Sequence, residues 1–201
     1  DGTEVAVVLH SVGVVDAAAL GVITATAIVP VDWTGLLFNL EKTVARACTG
    51  AGDRVAARDY EQREQARQQA INTLLWDATQ GWYVDRDIER GQTRPARTAA
   101  ALFPLWLQVA TRAQARQTAA AVDAQLLRQG GLLTTTVRTG QQWDAPNGWG
   151  PLQWVAVDGL QRYGENTLAR RIGTRFLHTV QAVYDSEGKL VEKYVVDGSA
   201  G

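Results

Sequence analysis

Apolar residues recur at three- and four-residue intervals through most of this chain, the period of helices with one buried face. Leu36, Leu37, Leu40, Val44 and Cys48 form the first series. Thr49 to Asp53 breaks it, because Gly50 and Gly52 favour a helix stop and Asp53 is placed to cap the next helix. From Arg54 to Trp76 the chain is rich in Ala, Arg, Gln and Glu, with Tyr60, Ala66, Ala70, Ile71 and Leu74 as the stripe predicted to be buried. The pair reads as a helical hairpin.

The period then changes. Gln80-Gly81 leads into Trp82-Tyr83-Val84-Asp85-Arg86-Asp87-Ile88, where alternation around aromatic residues predicts a short β excursion near residues 80–90 with a turn at Arg90-Gly91. Helix resumes at Thr98 and runs through Leu102, Phe103, Trp106, Leu107 and Val109, with Pro104 as a first-turn residue or a kink. A more polar helix from Ala113 to Leu127 ends at Gly130-Gly131. Pro151 suits a first turn, and Leu152, Val155, Ala156 and Leu160 give the next apolar face, stopping at Tyr163-Gly164. A last helix spans Asn166 to Val183, with Leu168, Ile172, Leu177 and Val180 inside. A turn at Asp185 to Gly188 and an extended stretch from Leu190 to Val196 follow.

The expectation is therefore an all-α fold of three helical hairpins with one short β excursion. In each pair the first helix is the more apolar, which fits an inner helix facing a core and an outer helix facing water. Polar and aromatic clusters precede the first helices, at Val31-Asp32-Trp33, Arg94 to Arg97 and Trp143 to Trp149. Stacked around an axis, the hairpins would bring all three clusters to one end.

Composition narrows the partners. The chain has 201 residues, 46% of them hydrophobic, enough for one sizeable packed core. A net charge of -1 gives no electrostatic reason to expect nucleic acid or an anionic membrane. No run approaches the ~18 apolar residues of a membrane span. Cys48 has no partner for a disulfide, and neither His10 nor His178 has the neighbours of a metal site or a nucleophilic triad, so no metal and no cofactor are expected.

The stretch Gln141 to Pro151 holds two Trp, two Gln, two Pro, two Gly, one Asp and one Asn in eleven residues, a mixture unsuited to a helix interior or central strand. Such a loop can present rings to the C–H faces of a sugar and amides or a carboxylate to its hydroxyls. Trp143 or Trp149 is the candidate platform, with Gln142, Asp144 and Asn147 as hydroxyl partners. The bland alternative is a loop whose tryptophans plug the end of a helical core. Asp32 is a candidate cap of the first helix or a second group at the same end. Asp85 and Asp87 are expected in a solvated turn paired with Arg90 or Arg94.

Gln142-Trp143-Asp144-Ala145-Pro146-Asn147-Gly148-Trp149 resembles the second signature of the trehalase family of glycoside hydrolases. Ala27 to Asp32 followed by Leu36 to Arg46, Gln80 to Tyr83, Thr98 to Leu105, Gly130 to Leu132 and Leu190 to Tyr194 are similar to the family in register. The resemblance divides the chain into an unmatched segment, 1–23, and a trehalase-like region, 24–201. It implies part of an (α/α)6 barrel, α,α-trehalose as substrate and inverting hydrolysis to two glucose molecules. It also implies that this stretch carries no catalytic residue. The family's acid, an Asp in a Trp-Asp motif, lies upstream of the part matching Thr24, and Asp16 lacks that motif's neighbours. The base, a Glu in a glycine-rich segment, follows the part matching Tyr194. The family's first signature, with its substrate-binding Arg, is not found here either. A fragment inactive alone is expected. So is self-association through uncovered faces at Leu36 to Val44 and Leu102 to Val109. A non-catalytic sugar-binding module and a helical remnant without ligand are the alternatives. A single Cys fits a cytoplasmic or a periplasmic location.

Overall fold

The structure, a computed structural model, describes residues 27–198. His10, Asp16 and the segment 1–23 lie outside the described residues. Among the described residues six helices and nine short strands follow in order: β1 (Ile28–Val29), α1 (Val31–Gly50), α2 (Arg54–Leu74), β2 (Trp76–Asp77), β3 (Trp82–Tyr83), β4 (Arg86–Asp87), β5 (Gln92–Thr93), a 3-10 turn (Ala99–Leu102), α3 (Phe103–Trp106), α4 (Arg112–Gln125), β6 (Leu127–Arg128), β7 (Gly131–Leu132), β8 (Asn147–Trp149), α5 (Gly150–Arg162), α6 (Asn166–Glu187) and β9 (Lys193–Val195).

The helices pair as α1 with α2 and α5 with α6, and α3 lies between α1 and α5. α1, the 3-10 turn with α3, and α5 therefore form an inner row. Leu102, Leu105, Ala156, Leu160 and Ile172 are fully buried between the layers. Gly159 permits the close approach of α5 to α3, since a Cβ there would lie 2.9 Å from the Trp106 amide nitrogen.

The expected β excursion is present. β4 and β5 form a hairpin, and β1 pairs with β4 through Ile28–Asp87 and Val29–Arg86. Asp53 caps α2 by accepting from the Ala56 amide. Thr111 and Gln114 form a capping box at α4, satisfying two otherwise orphaned amides.

Three expected features are corrected. The first is the buried stripe of α1: Leu36, Leu37 and Leu40 are 43%, 44% and 55% exposed, and the covered face is Gly35, Phe38, Glu41 and Ala45. Two contacts select that face. A Cβ at Gly35 would meet Leu107 at 2.9 Å, so the helix sits against α3 there. Arg67 of α2 forks onto Glu41 with donor distances of 2.8 and 2.6 Å. Periodicity counts apolar residues and is blind to a glycine contact or an ion pair. On α2, likewise, Ala66 and Leu74 are exposed while Ala57 and Ile71 are buried. Asn72 secures that helix through the Val109 carbonyl at 2.9 Å and the Tyr83 hydroxyl at 2.7 Å.

The second is the helix expected from Thr98 to Val109. It is a 3-10 turn followed by a single α turn, with Pro104 in the first turn of α3 and Gln108 at φ 60° beyond its end. Pro104 has no amide to continue a helical ladder from the preceding turn. The third concerns exposure. Leu102, Leu105, Leu107 and Val109 are buried, because α3 is flanked on both sides, so only the α1 face of the two expected uncovered faces is open. On α6, moreover, Leu177 is 66% exposed, and the helix absorbs the expected turn, running to Glu187 before Gly188 stops it at φ 68°.

Candidate functional site

The segments that lead into the inner row are joined side by side by backbone hydrogen bonds. The Ile88 amide bonds the Ala27 carbonyl, the Arg94 amide bonds Asp85, the Thr136 amide bonds Arg97 and the Ala99 amide bonds Thr134. The Thr134 amide bonds Asn147 in turn, the Val196 amide bonds Pro146, and β8 pairs with β9 from Asn147–Val195 to Trp149–Lys193. The clusters at residues 31–33, 94–97 and 143–149 thus share one seam at one end of the inner helices.

Within that seam the loop 141–149 is held from inside. Two tight turns build it, with the Asp144 amide on the Gln141 carbonyl and the Asn147 amide on the Asp144 carbonyl. The Trp143 and Trp149 rings stack with centroids 3.8 Å apart and planes 4° from parallel. Such a pair adds ~0.5–1.5 kcal/mol beyond the apolar area it buries. Trp149 is 4% exposed, so Trp143 covers it and is itself half-buried. The Gln142 carbonyl accepts both the Trp149 indole N–H and the Asn147 side-chain amide, each at 3.2 Å. Thr139 donates its hydroxyl to the Asp144 carboxylate.

The predicted site residues therefore divide. Trp149 is core, and its polar edge is satisfied by the loop. Asn147 has its donor engaged and its carbonyl oxygen unused among the described residues. Gln142 is exposed, and Trp143 turns its outer face away from the stack. Asp144 is half-buried and fixed by Thr139.

Two supports of the loop were not expected from sequence. Gln153 is 3% exposed and clamps β7, accepting the Leu132 amide at 2.8 Å and donating to the Leu132 carbonyl at 2.7 Å. Its trace in the sequence is one polar residue inside the apolar face Leu152, Val155, Ala156. Asp197 receives both Arg128, at 3.1 Å, and Arg138, which ties the segment before Thr139 to the residues just after β9. Sequence separation hides that triad.

The acidic residues are arranged differently from expectation. Asp85 is buried, not part of a solvated turn, and its Oδ1 accepts the Val31 amide at 2.9 Å. It satisfies the first orphan donor of α1, where Pro30 offers no side chain for capping. Asp32 is accordingly not the cap: it is buried in the first turn, with Oδ1 2.8 Å from the Trp33 amide. Burial pushes the Asp85 carboxyl up to about 7, with the nearby Asp32 adding to the rise and the Val31 amide and Arg94 opposing it. Burial also raises Asp32. Asp87 is buried as well but does pair with Arg90, at 3.1 Å. Among the described residues no group of three or more His, Cys, Asp and Glu could hold a metal ion, and no helix is long and apolar enough to cross a membrane.

A family model described as Trehalase matches residues 7–201, nearly the whole chain. The chain belongs to the trehalase family. The periplasmic trehalase of Salmonella paratyphi B is 53% identical over 180 residues, which is 90% of this chain and 32% of that protein. The putative periplasmic trehalase of Salmonella typhi is also 53% identical over 180 residues. The chain thus spans about a third of the length of the curated relatives it matches. Among solved structures, neutral trehalase from Saccharomyces cerevisiae superposes with a TM-score of 0.78 at 26% identity, covering 85% of this chain and 34% of the yeast enzyme. The GH63 mannosylglycerate hydrolase of Thermus thermophilus shares the fold, with a TM-score of 0.69 at 20% identity over 87% of this chain and 41% of that one. The six helices of this trehalase-family chain are therefore part of an (α/α)6 barrel.

Proposed function

We propose that the protein to which this stretch contributes is an α,α-trehalase, hydrolysing trehalose to two glucose molecules with inversion. In this reading the loop 141–149 forms one part of its sugar site. The observation that carries it is the Trp143–Trp149 stack, which buries one indole and presents the other beside Gln142 and Asp144. Trp143 would take the C–H face of a glucosyl ring. The Gln142 amide, the Asp144 carboxylate and the Asn147 side-chain carbonyl would take its hydroxyls. Trp149 serves as the floor that holds Trp143 flat.

Inverting hydrolysis requires an acid and a base about 6.5–9.5 Å apart across the scissile bond. The loop offers a single carboxylate, Asp144, already tethered by Thr139. Asp32 and Asp85 are turned to the α1 terminus. The 201-residue chain is therefore proposed to bind the disaccharide without cleaving it, and its open α1 edge to support association. Calorimetry of the purified chain with trehalose tests binding, and a coupled glucose assay tests cleavage. Heat of binding at millimolar trehalose that is lost in Trp143→Ala, with no glucose above the blank, is expected. No heat at that concentration contradicts the binding role, and glucose release contradicts the division of labour.

A further inference from the structure

Four buried side-chain atoms have no hydrogen-bond partner among the described residues: the Trp82 indole nitrogen, Nη1 of Arg97 and the hydroxyls of Thr118 and Thr134. Polar groups closed off from solvent are nearly always paired, with protein or with enclosed water. Trp82, Thr118 and Thr134 are fully buried, so what pairs with them must be enclosed with them.

The fold gathers all four atoms in one layer, between α4, β3 and the paired segments 97–99 and 134–136. Gly81 lets the start of β3 sit against α4, since a Cβ there would lie 3.1 Å from the Gln117 side chain. Trp82 thereby lies alongside the helical turn that carries Thr118. Arg97 covers the Trp82 ring, with its guanidinium carbon 5.7 Å from the ring centroid. Its Nε donates to Oε1 of Gln125 at 3.2 Å. Gln125 shares the Thr118 face of α4, because the seven residues between them make roughly two turns. Thr134 completes the layer. Thr98 and Thr135 form an antiparallel bridge, flanked by the Ala99 amide on the Thr134 carbonyl and the Thr136 amide on the Arg97 carbonyl. Side chains alternate across such a pair, so Arg97 and Thr134 share the face opposite Thr98 and Thr135. The Leu133 amide on the Leu126 carbonyl draws the same segment against the end of α4.

We propose that this layer encloses an ordered water molecule, the common partner of the four groups. The valences match. The indole and guanidinium N–H groups only donate, whereas a threonine hydroxyl also accepts. One water can accept from both N–H groups and donate its two hydrogens to the two hydroxyl oxygens. The guanidinium charge is already met by the Trp82 ring face and the Gln125 carbonyl oxygen, so a neutral guest suffices. The water joins α4 and β3 to a segment whose next hydrogen bond, from the Thr134 amide to the Asn147 carbonyl, anchors the base of the loop 141–149. Its place does not depend on whether that loop takes a sugar.

Thermal unfolding of the full chain carrying Thr118→Val or Thr134→Val separates a hydrated layer from a dry one by sign. Valine keeps the branched shape of threonine and nearly its helix propensity. With water bound, each change removes one hydrogen bond, and the midpoint should fall by about 2–4 °C. In a dry layer each change removes an unpaired hydroxyl, and the midpoint should rise. A rise in either variant overturns the proposal. Crystals of the full chain grown in bromide then identify the guest. Density without anomalous signal, ~2.7–3.2 Å from at least two of the four groups, is expected. An anomalous peak there would assign the place to a halide and overturn the water. Absence of density, with the Thr118 hydroxyl turned onto the Gln114 carbonyl, would overturn it as well.

Discussion

Replacing Asp85 by Asn should change how stability depends on pH, and the structure gives both the sign and the size. Asp85 is buried at the first turn of α1, where its Oδ1 accepts the Val31 amide. Asn keeps a carbonyl oxygen for that amide and cannot ionise. In the wild type the carboxyl ionises at about 7 in the fold against 3.8 for a free aspartate side chain. Because the folded value is raised, the stability linked to the bound proton is complete below about pH 4 and is lost as pH rises to 7. Each pKa unit corresponds to ~1.4 kcal/mol, so the loss by pH 8 is on the order of 4 kcal/mol. That is a large part of the ~5–15 kcal/mol typical of a whole domain. Asp32, also raised by burial, acts in the same direction. Urea titrations followed by far-ultraviolet circular dichroism at about pH 4 and about pH 8 read the effect. Asp85→Asn should be close to wild type at the lower pH and clearly more stable at the higher one. Equal destabilisation at both pH values would rule this out, since it would mean that Asp85 acts in the fold as an anion.

Other expectations follow from the loop's supports. Gly148→Ala places a Cβ 2.6 Å from the Leu132 carbonyl oxygen, and the overpacking should lower stability by ~1–3 kcal/mol in denaturant titration. Gln153→Leu leaves the Leu132 amide and carbonyl buried without partners, a loss of roughly 2–5 kcal/mol, measurable in the same way. Thr139→Val frees the Asp144 carboxylate, so calorimetry should show trehalose binding weakened several-fold with the thermal midpoint nearly unchanged.

The helical hairpins were legible because their signals are local. Asp53 as a cap, Pro151 in a first turn and the face Leu152, Val155, Ala156 and Leu160 all stand where the spacing puts them. The face of α1 was not legible, because its packed side is chosen by Gly35 and by Glu41 with Arg67, a glycine and an ion pair that hydrophobic periodicity ignores. The leucines that dominate the pattern instead mark an open edge of the row. In the site, the Gln141–Pro151 cluster was conspicuous by composition. The division of labour between Trp143 and Trp149 depends on a stack that sequence cannot orient. The role of Asp85 is hidden because its partner, the Val31 amide, is 54 residues away, while Arg90 and Arg94 are near in sequence.

Nitrogen-15 NMR of the side-chain amides and indoles during trehalose titration tests whether the loop 141–149 touches the sugar through its outer surface. Saturable shifts are expected of the Trp143 indole and the Gln142 amide, with the Trp149 indole, bonded to the Gln142 carbonyl beneath the stack, moving least. Unmoved Trp143 and Gln142 signals while trehalose binds elsewhere on the chain would contradict it.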